Sequence, residues 1–250
     1  MKQLAIVLIL SLWGGLAIAQ KQITQRFEVA QRDNISLRFD EANVVRVEGW
    51  NQAHIEIVAD VSINDGTQDE AYKIEGEKDG DTFQITGFLK DKSELPQVIR
   101  IKKGDQVYTF QTDDWDSPEI KQFYEEHGQE GISWKSHGIS WDVHITIKVP
   151  NKSNLTVSSR HGVVELVGLS GNVEANSIHG GIDLTIDRAM RGTLSAKTRW
   201  GNIYSNVDLD IDPSSSNRDW NHVVASVNGG SAASFALESK HANIYLRKDQ

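Results

Sequence analysis

Ser158-Ser159-Arg160-His161-Gly162-Val163-Val164 is followed by Asn176-Ser177-Ile178-His179-Gly180-Gly181-Ile182, and the same order returns in Lys197-Thr198-Arg199-Trp200-Gly201-Asn202-Ile203 and in Glu238-Ser239-Lys240-His241-Ala242-Asn243-Ile244. Each copy reads as a small or polar residue, a variable one, an aromatic ring, Gly or Ala, a variable one, then a β-branched residue. The glycines step by 18 and 21 residues, and a step of 41 precedes the copy at Ala242. Weaker half-copies lie between them, Leu169-Ser170-Gly171-Asn172-Val173 and Met190-Arg191-Gly192-Thr193-Leu194. Gly162, Gly171 and Gly180 therefore stand 9 residues apart, as do Gly192 and Gly201. Such a step holds one short strand and one tight turn. Each strand should stack on the one before it, because no single rung buries its apolar side alone. Glycine should supply positive φ at the corners, and the Val, Leu and Ile after them should fill a narrow interior. A β-sandwich whose hairpins happen to carry Gly is the competing reading, which the equal steps disfavour.

Before Val149-Pro150 the strands are longer. Ile35, Leu37 and Phe39 alternate with polar residues, as do Ile55, Ile57, Ala59, Val61 and Ile63; Val98 through Lys102, Val107 through Thr112 and Val143 through Val149 read the same way. Alternation of period two turns one face to a core and the other to water. Asn64-Asp65-Gly66 and Lys78-Asp79-Gly80-Asp81 mark turns. One short helix is expected. Asp116-Ser117-Pro118-Glu119 supplies a cap and first turn, Ile120, Phe123 and Tyr124 share a face, and Gly128 ends it. It should be a lid or insertion between strands. The tetrapeptide Gly-Ile-Ser-Trp occurs twice, at Gly131–Trp134 and Gly138–Trp141, and is read as a β-hairpin with cross-strand aromatic packing, ahead of an aromatic binding surface. Residues 208–222, rich in Ser, Asn and Asp, read as an exposed loop that breaks the period.

The first residues carry Lys2, an apolar run from Leu4 through Leu12, a break at Gly14-Gly15, and Ala17-Ile18-Ala19 before Gln20. Positive charge, apolar stretch and small-x-small in that order predict a signal peptide, residues 1–19, cleaved after Ala19. The run is short for a membrane span, and with no Cys at the cleavage point no lipid attachment is expected there. The mature chain would be residues 20–250, a single all-β domain with a β-rich part (20–150) and a stacked repeat part (151–250). Export shifts the formal charge from −9 to about −10. That balance argues against nucleic acid or an anionic membrane surface as main partner. No second apolar run is long enough to span a membrane. The chain has no cysteine, so stability must come from burial and strand pairing rather than disulfides or thiolate metal sites.

The chain resembles a bacterial family described as putative adhesins, a domain of unknown function with β-helix-like glycine repeats. The resemblance rests on Val149-Pro150, Leu155-Thr156-Val157, Gly162-Val163-Val164-Glu165-Leu166, Gly171-Asn172-Val173-Glu174-Ala175, Gly180-Gly181-Ile182-Asp183-Leu184, Thr198-Arg199-Trp200-Gly201-Asn202-Ile203 and Asn243-Ile244-Tyr245-Leu246. Val44 through Asn51 looks like the family's opening. It covers most of residues 27–247 and is strong only after Thr146. Ala242 departs from the family's glycine, and residues 114–141 have no counterpart in it. The resemblance implies an envelope or surface location and no enzymatic activity.

His161, His179, Trp200 and His241 hold the same repeat position, so stacking would line them up at strand spacing. A ring column could take a metal through imidazoles or a partner through its surface; the plain alternative is rings that cover a turn and stack on each other. Asp208, Asp210 and Asp212 alternate and could hold Ca²⁺, though a solvated edge strand is favoured. Asp113, Asp114, Asp116 and Glu119 suit a helix N-terminus. Arg160, Lys197 and Arg199 near the corners, with Glu165 and Asp183 facing outward, are the groups an acidic-polysaccharide enzyme would use. No nucleophile elbow, P-loop, dinucleotide loop or zinc-protease motif occurs.

The fold expected is all-β, with β-solenoid or β-helix-like repeats in the C-terminal half joined to a β-rich N-terminal part with one short helix. The function expected is that of a non-enzymatic, exported envelope or surface protein, adhesive or scaffolding, in the periplasm, on the cell surface or outside the cell. A signalling or envelope-stress partner is the first alternative, and a carbohydrate-active enzyme the second. No cofactor, metal, nucleic acid or membrane span after leader removal is expected. A protein or glycan ligand is possible at His161, His179, Trp200 and His241, and the oligomeric state is left open.

Overall fold

A computed structural model of the chain describes residues 21–30, 33–188, 190–212, 214, 221–229 and 232–249. The expected leader, residues 1–19, lies outside them, as do residues 215–220 of the expected loop. In chain order the strands are β1 (Lys21–Glu28), β2 (Asn34–Phe39), β3 (Val44–Trp50), β4 (His54–Ile63), β5 (Tyr72–Asp79), β6 (Thr82–Leu89), β7 (Val98–Lys103) and β8 (Gln106–Phe110). After helix α1 (Pro118–His127) come β9 (Ile132–Gly138), β10 (Trp141–Pro150), β11 (Leu155–Ser159), β12 (Val163–Val167), β13 (Val173–Ser177) and β14 (Ile182–Ile186). The chain closes with β15 (Gly192–Thr198), β16 (Ile203–Ser205), β17 (Asp210–Ile211), β18 (Asn221–Val227), β19 (Ala233–Ser239) and β20 (Ile244–Lys248). Among the described residues no helix is long and apolar enough to cross a membrane.

Two large sheets share one buried core. The first runs β1-β4-β10-β3-β12-β14-β20-β16, and the second β17-β18-β15-β19-β13-β11-β2-β6-β5. The alternating segments of the sequence become the walls of that core. Ile55, Ile57, Ala59, Val61 and Ile63 on β4 are fully buried, opposite Val143, Ile145, Ile147 and Val149 on β10. Five times the chain crosses from the second sheet to the first, as β2→β3, β11→β12, β13→β14, β15→β16 and β19→β20. These rungs pair in parallel. Their registers make apolar columns: Ile35, Leu155, Val173, Phe235 and Leu194 in the second sheet, and Val45, Val164, Ile182, Ile244 and Ile203 in the first. Full burial of each such side chain is worth about 1.5–3 kcal/mol, which is why the post-corner residue is β-branched or Leu in nearly every copy.

The rungs do not climb in chain order. β19→β20 lies between β13→β14 and β15→β16, so the copy at His241 sits next to the copy at His179, and the copy at Trp200 is outermost. β18 turns back antiparallel on β15 and takes its outer side. The following strand, running parallel to β15, pairs on the inner side. The expectation that each strand stacks on the one before it holds for Gly162 to Gly180 and fails after that.

The corner glycines serve a different purpose from the one expected. Gly162, Gly171, Gly180, Gly192 and Gly201 all have φ outside the left-handed region. A side chain is excluded by the neighbouring rung instead. A Cβ on Gly180 would lie 1.9 Å from the Gly162 carbonyl oxygen, one on Gly201 2.1 Å from that of Ala242, and one on Gly171 2.1 Å from that of Ser153. Backbone packs on backbone at these corners.

The third sheet, β8-β7-β9, carries α1 on one face, where Ile99, Ile101, Ile120 and Phe123 form a separate core. The helix is where the sequence places it, but its cap is Ser117, whose Oγ accepts from the Ile120 amide, rather than Asp116. Gly128 ends it at φ 66°. The two Gly-Ile-Ser-Trp copies do not form a hairpin with each other. The first lies at the start of β9, which pairs with β7. The second spans the passage into β10, which pairs with β3 and β4. The chain's change of sheet at Gly138, where φ is 140°, separates them.

Candidate functional site

One long edge of the stack is built from the turns that follow β11, β13, β19 and β15. In three of them, those after β11, β19 and β15, a buried hydroxyl holds the turn from within. The Oγ of Ser159 accepts from the Gly162 amide (2.9 Å), that of Ser239 from the Ala242 amide (3.2 Å), and the Thr198 hydroxyl from the Gly201 amide (3.1 Å). Two of these groups, with Ser177, also reach to the neighbouring rung. Ser177 donates to the Gly162 carbonyl, Ser239 to that of Gly180 and Thr198 to that of Ala242, at 3.3, 3.1 and 2.8 Å. All four hydroxyl residues are buried, so each satisfied pair fixes the height and rotation of its turn. The motif's small polar position was visible in the sequence; its role across rungs was not.

With the turn fixed, the second residue after the hydroxyl points out. His161, His179 and His241 stack with ring centroids 5.3 and 5.0 Å apart and planes 13° and 11° from parallel. Trp200 follows on the next rung, its amide donating to the Lys240 carbonyl, and is 67% exposed. At the other end Trp141 packs at 5.6 Å against His161. The four expected ring residues thus share one edge, in the order His161, His179, His241, Trp200, and Trp141 extends it. Trp141 was missed because its Gly-Ile-Ser-Trp copy was read as part of a hairpin.

The edge is basic. Arg160, Lys240 and Arg199 precede three of the rings; Arg199 lies over the Trp200 ring and Lys92 over that of Trp141. Burial, then the charges of His179, Arg160 and Lys92, hold the His161 imidazole below its ordinary pKa, with Glu41 opposing. Desolvation, then His179, Lys240 and Arg199, do the same to His241. These rings therefore stay neutral at neutral pH. Near-parallel stacking sets the imidazoles side by side instead of converging them, and among the described residues no group of three or more His, Cys, Asp or Glu is placed to hold a metal ion.

Beside Trp141 lies a cleft of about 220 Å³ lined by Arg100, Ser136, His137 and Ser140. Arg100 is half-buried. One of its terminal nitrogens donates to the Ser140 hydroxyl at 2.8 Å, its Nε is buried without a partner, and it makes no ion pair among the described residues. The other carboxylates singled out in the sequence lie elsewhere. Glu165 and Asp183 are register neighbours on the outer face of the first sheet, bound to Arg46 and Arg247. Asp210 is on the edge strand β17, and the Asp212 carboxylate accepts from the Ser214 amide and hydroxyl, which keeps its pKa low.

No family model matches the chain, and no curated protein matches it. Among solved structures it is similar to a "putative cell adhesion protein" from Clostridium sporogenes, with a TM-score of 0.50 and 11% identity over 92% of this chain and 100% of that one. A "putative adhesin" from Bacteroides fragilis matches at a TM-score of 0.24 and 11% identity, over 93% of this chain and 99% of that one. At this identity the first likeness shows the fold alone, and the second carries no argument.

Proposed function

We propose that this is a non-enzymatic, exported protein of the bacterial envelope that adheres or scaffolds through the ring-bearing edge. The observation that carries the proposal is the run of exposed rings on consecutive rungs, flanked by cations and mounted on turns locked by buried hydroxyls. A ligand that touches several rungs makes several weak contacts at a fixed spacing, so affinity comes from repetition on a rigid support. The naming of the C. sporogenes structure as a cell adhesion protein fits this reading, as do the charge, apolar run and Ala17-Ile18-Ala19 of the leader.

An array of glycans and envelope proteins tests it. Intact protein should bind a defined subset, and His161→Ala with Trp200→Ala should lose that binding while melting like the parent. Equal binding by the variant, or no binding by the parent, would contradict the proposal.

A further inference from the structure

Resting on that reading, we infer that the edge takes an acidic polysaccharide, laid across the rungs from Trp200 to Trp141, with one carboxylate against Arg100. The charge distribution is the first reason. The chain carries a formal charge of −9, yet this edge gathers Lys92, Arg160, Arg199 and Lys240 and ends at Arg100. Of these Lys92 is bound to Glu41, whereas Arg160, Lys240 and Arg100 make no ion pair among the described residues. A half-buried guanidinium whose one side-chain partner is a neutral hydroxyl is incompletely compensated. Its planar fork matches a carboxylate in two parallel hydrogen bonds. The hydroxyls of Ser136 and Ser140 stand in the same cleft, at hand for the polar groups around such a carboxylate.

The backbone supplies the second reason. The His179 amide donates to the Arg160 carbonyl, that of His241 to Ile178 and that of Trp200 to Lys240. These main-chain groups are already paired from rung to rung, so the edge offers little for a peptide to add to as a strand. Recognition falls to side chains, a succession of rings and cations at strand spacing, which suits a chain of polar, hydroxyl-rich units bearing separated charges. The acidity of the rest of the molecule repels a densely charged polymer such as a nucleic acid.

Titration calorimetry with an oligogalacturonate, its methyl ester and a neutral glucose oligomer of equal length tests the inference. The acid form should bind at least about tenfold more tightly than either neutral form, and binding should weaken with salt. Arg100→Ala should cost about tenfold, and Arg100→Lys less, because charge remains while the paired geometry goes. Arg160→Ala with Lys240→Ala, both on the surface, should cost about fivefold without altering the melt. Equal binding of acid and ester, equal binding of a poly-glutamate peptide, or indifference to all these substitutions would overturn the inference. If a neutral glycan or a protein binds in a ring-dependent way instead, the acidic ligand is wrong and the adhesive edge stands. If nothing binds, both fall.

Discussion

At the corner between the rungs of His161 and His179, a Cβ on Gly180 would sit 1.9 Å from a carbonyl oxygen of the neighbouring turn. In the inserted unit, by contrast, α1 stands off its sheet by whole side chains, with the Phe123 ring 4.9 Å from Tyr108 and 5.5 Å from Phe110. The stack is closed by backbone against backbone and by buried hydroxyls, so it leaves no room for an added atom at Gly162, Gly171, Gly180, Gly192 or Gly201. The insert is closed by ring against ring, so it fails when an atom is removed. The same chain is sensitive to addition in one region and to deletion in the other.

That difference can be broken from either side. Gly180→Ala should be the most damaging single change, costing about 4 kcal/mol or more, because the obstructing atoms are backbone and cannot rotate away. Denaturant unfolding should show the loss. Phe123→Ala should cost about 3 kcal/mol, and hydrogen exchange should place the new openings in residues 98–138 while the rungs stay protected. Ser239→Ala leaves the Gly180 carbonyl and the Ala242 amide without their partner and should cost about 2 kcal/mol, read as a lower midpoint with unchanged slope. Ser117→Ala removes one cap and should cost about 1 kcal/mol, confined to the insert.

The smallest effect is pH-dependent. His161 and His241 are held below the ordinary imidazole value of 6.5 by burial and by Arg160, Lys92, Lys240, Arg199 and His179. The unfolded chain therefore takes up protons at higher pH than the folded one. Their contribution is present above pH 6.5 and is lost as pH falls through that value toward the lowered ones. Replacing both by Gln should flatten this part of the stability profile. Asp33 and Asp212, whose carboxyls lie low because of Lys78 and Ser214, act in a separate, more acidic window.

The sequence made the elements legible where period two and caps are local. Ile55 through Ile63, the segment Val143 through Val149 and the helix at Ile120 and Phe123 lie where alternation and capping put them. The shared edge of His161, His179, Trp200 and His241 was legible from the repeat. The order of the rungs was not, because an inner or an outer place for the last copy satisfies the same apolar pattern; only the reversal at β18 decides it. Nor was the reason for the glycines, since crowding by a neighbouring carbonyl leaves the same residue in the sequence as a positive φ does. Trp141, Lys92 and Arg100 come to the edge from distant strands and loops, with no spacing to announce them.

The absence of cysteine allows rung order to be read directly by pairwise cross-linking. With His179→Cys and His241→Cys the two thiols stand on hydrogen-bonded neighbours, about 4.8 Å apart along the stack, within disulfide reach. With His179→Cys and Trp200→Cys they are consecutive copies in the chain but two rungs apart, beyond about 7 Å. Mild oxidation of the folded protein should close the first pair and leave the second open. A bond between residues 179 and 200, with none between 179 and 241, would contradict both the inserted last rung and the ordered edge built on it.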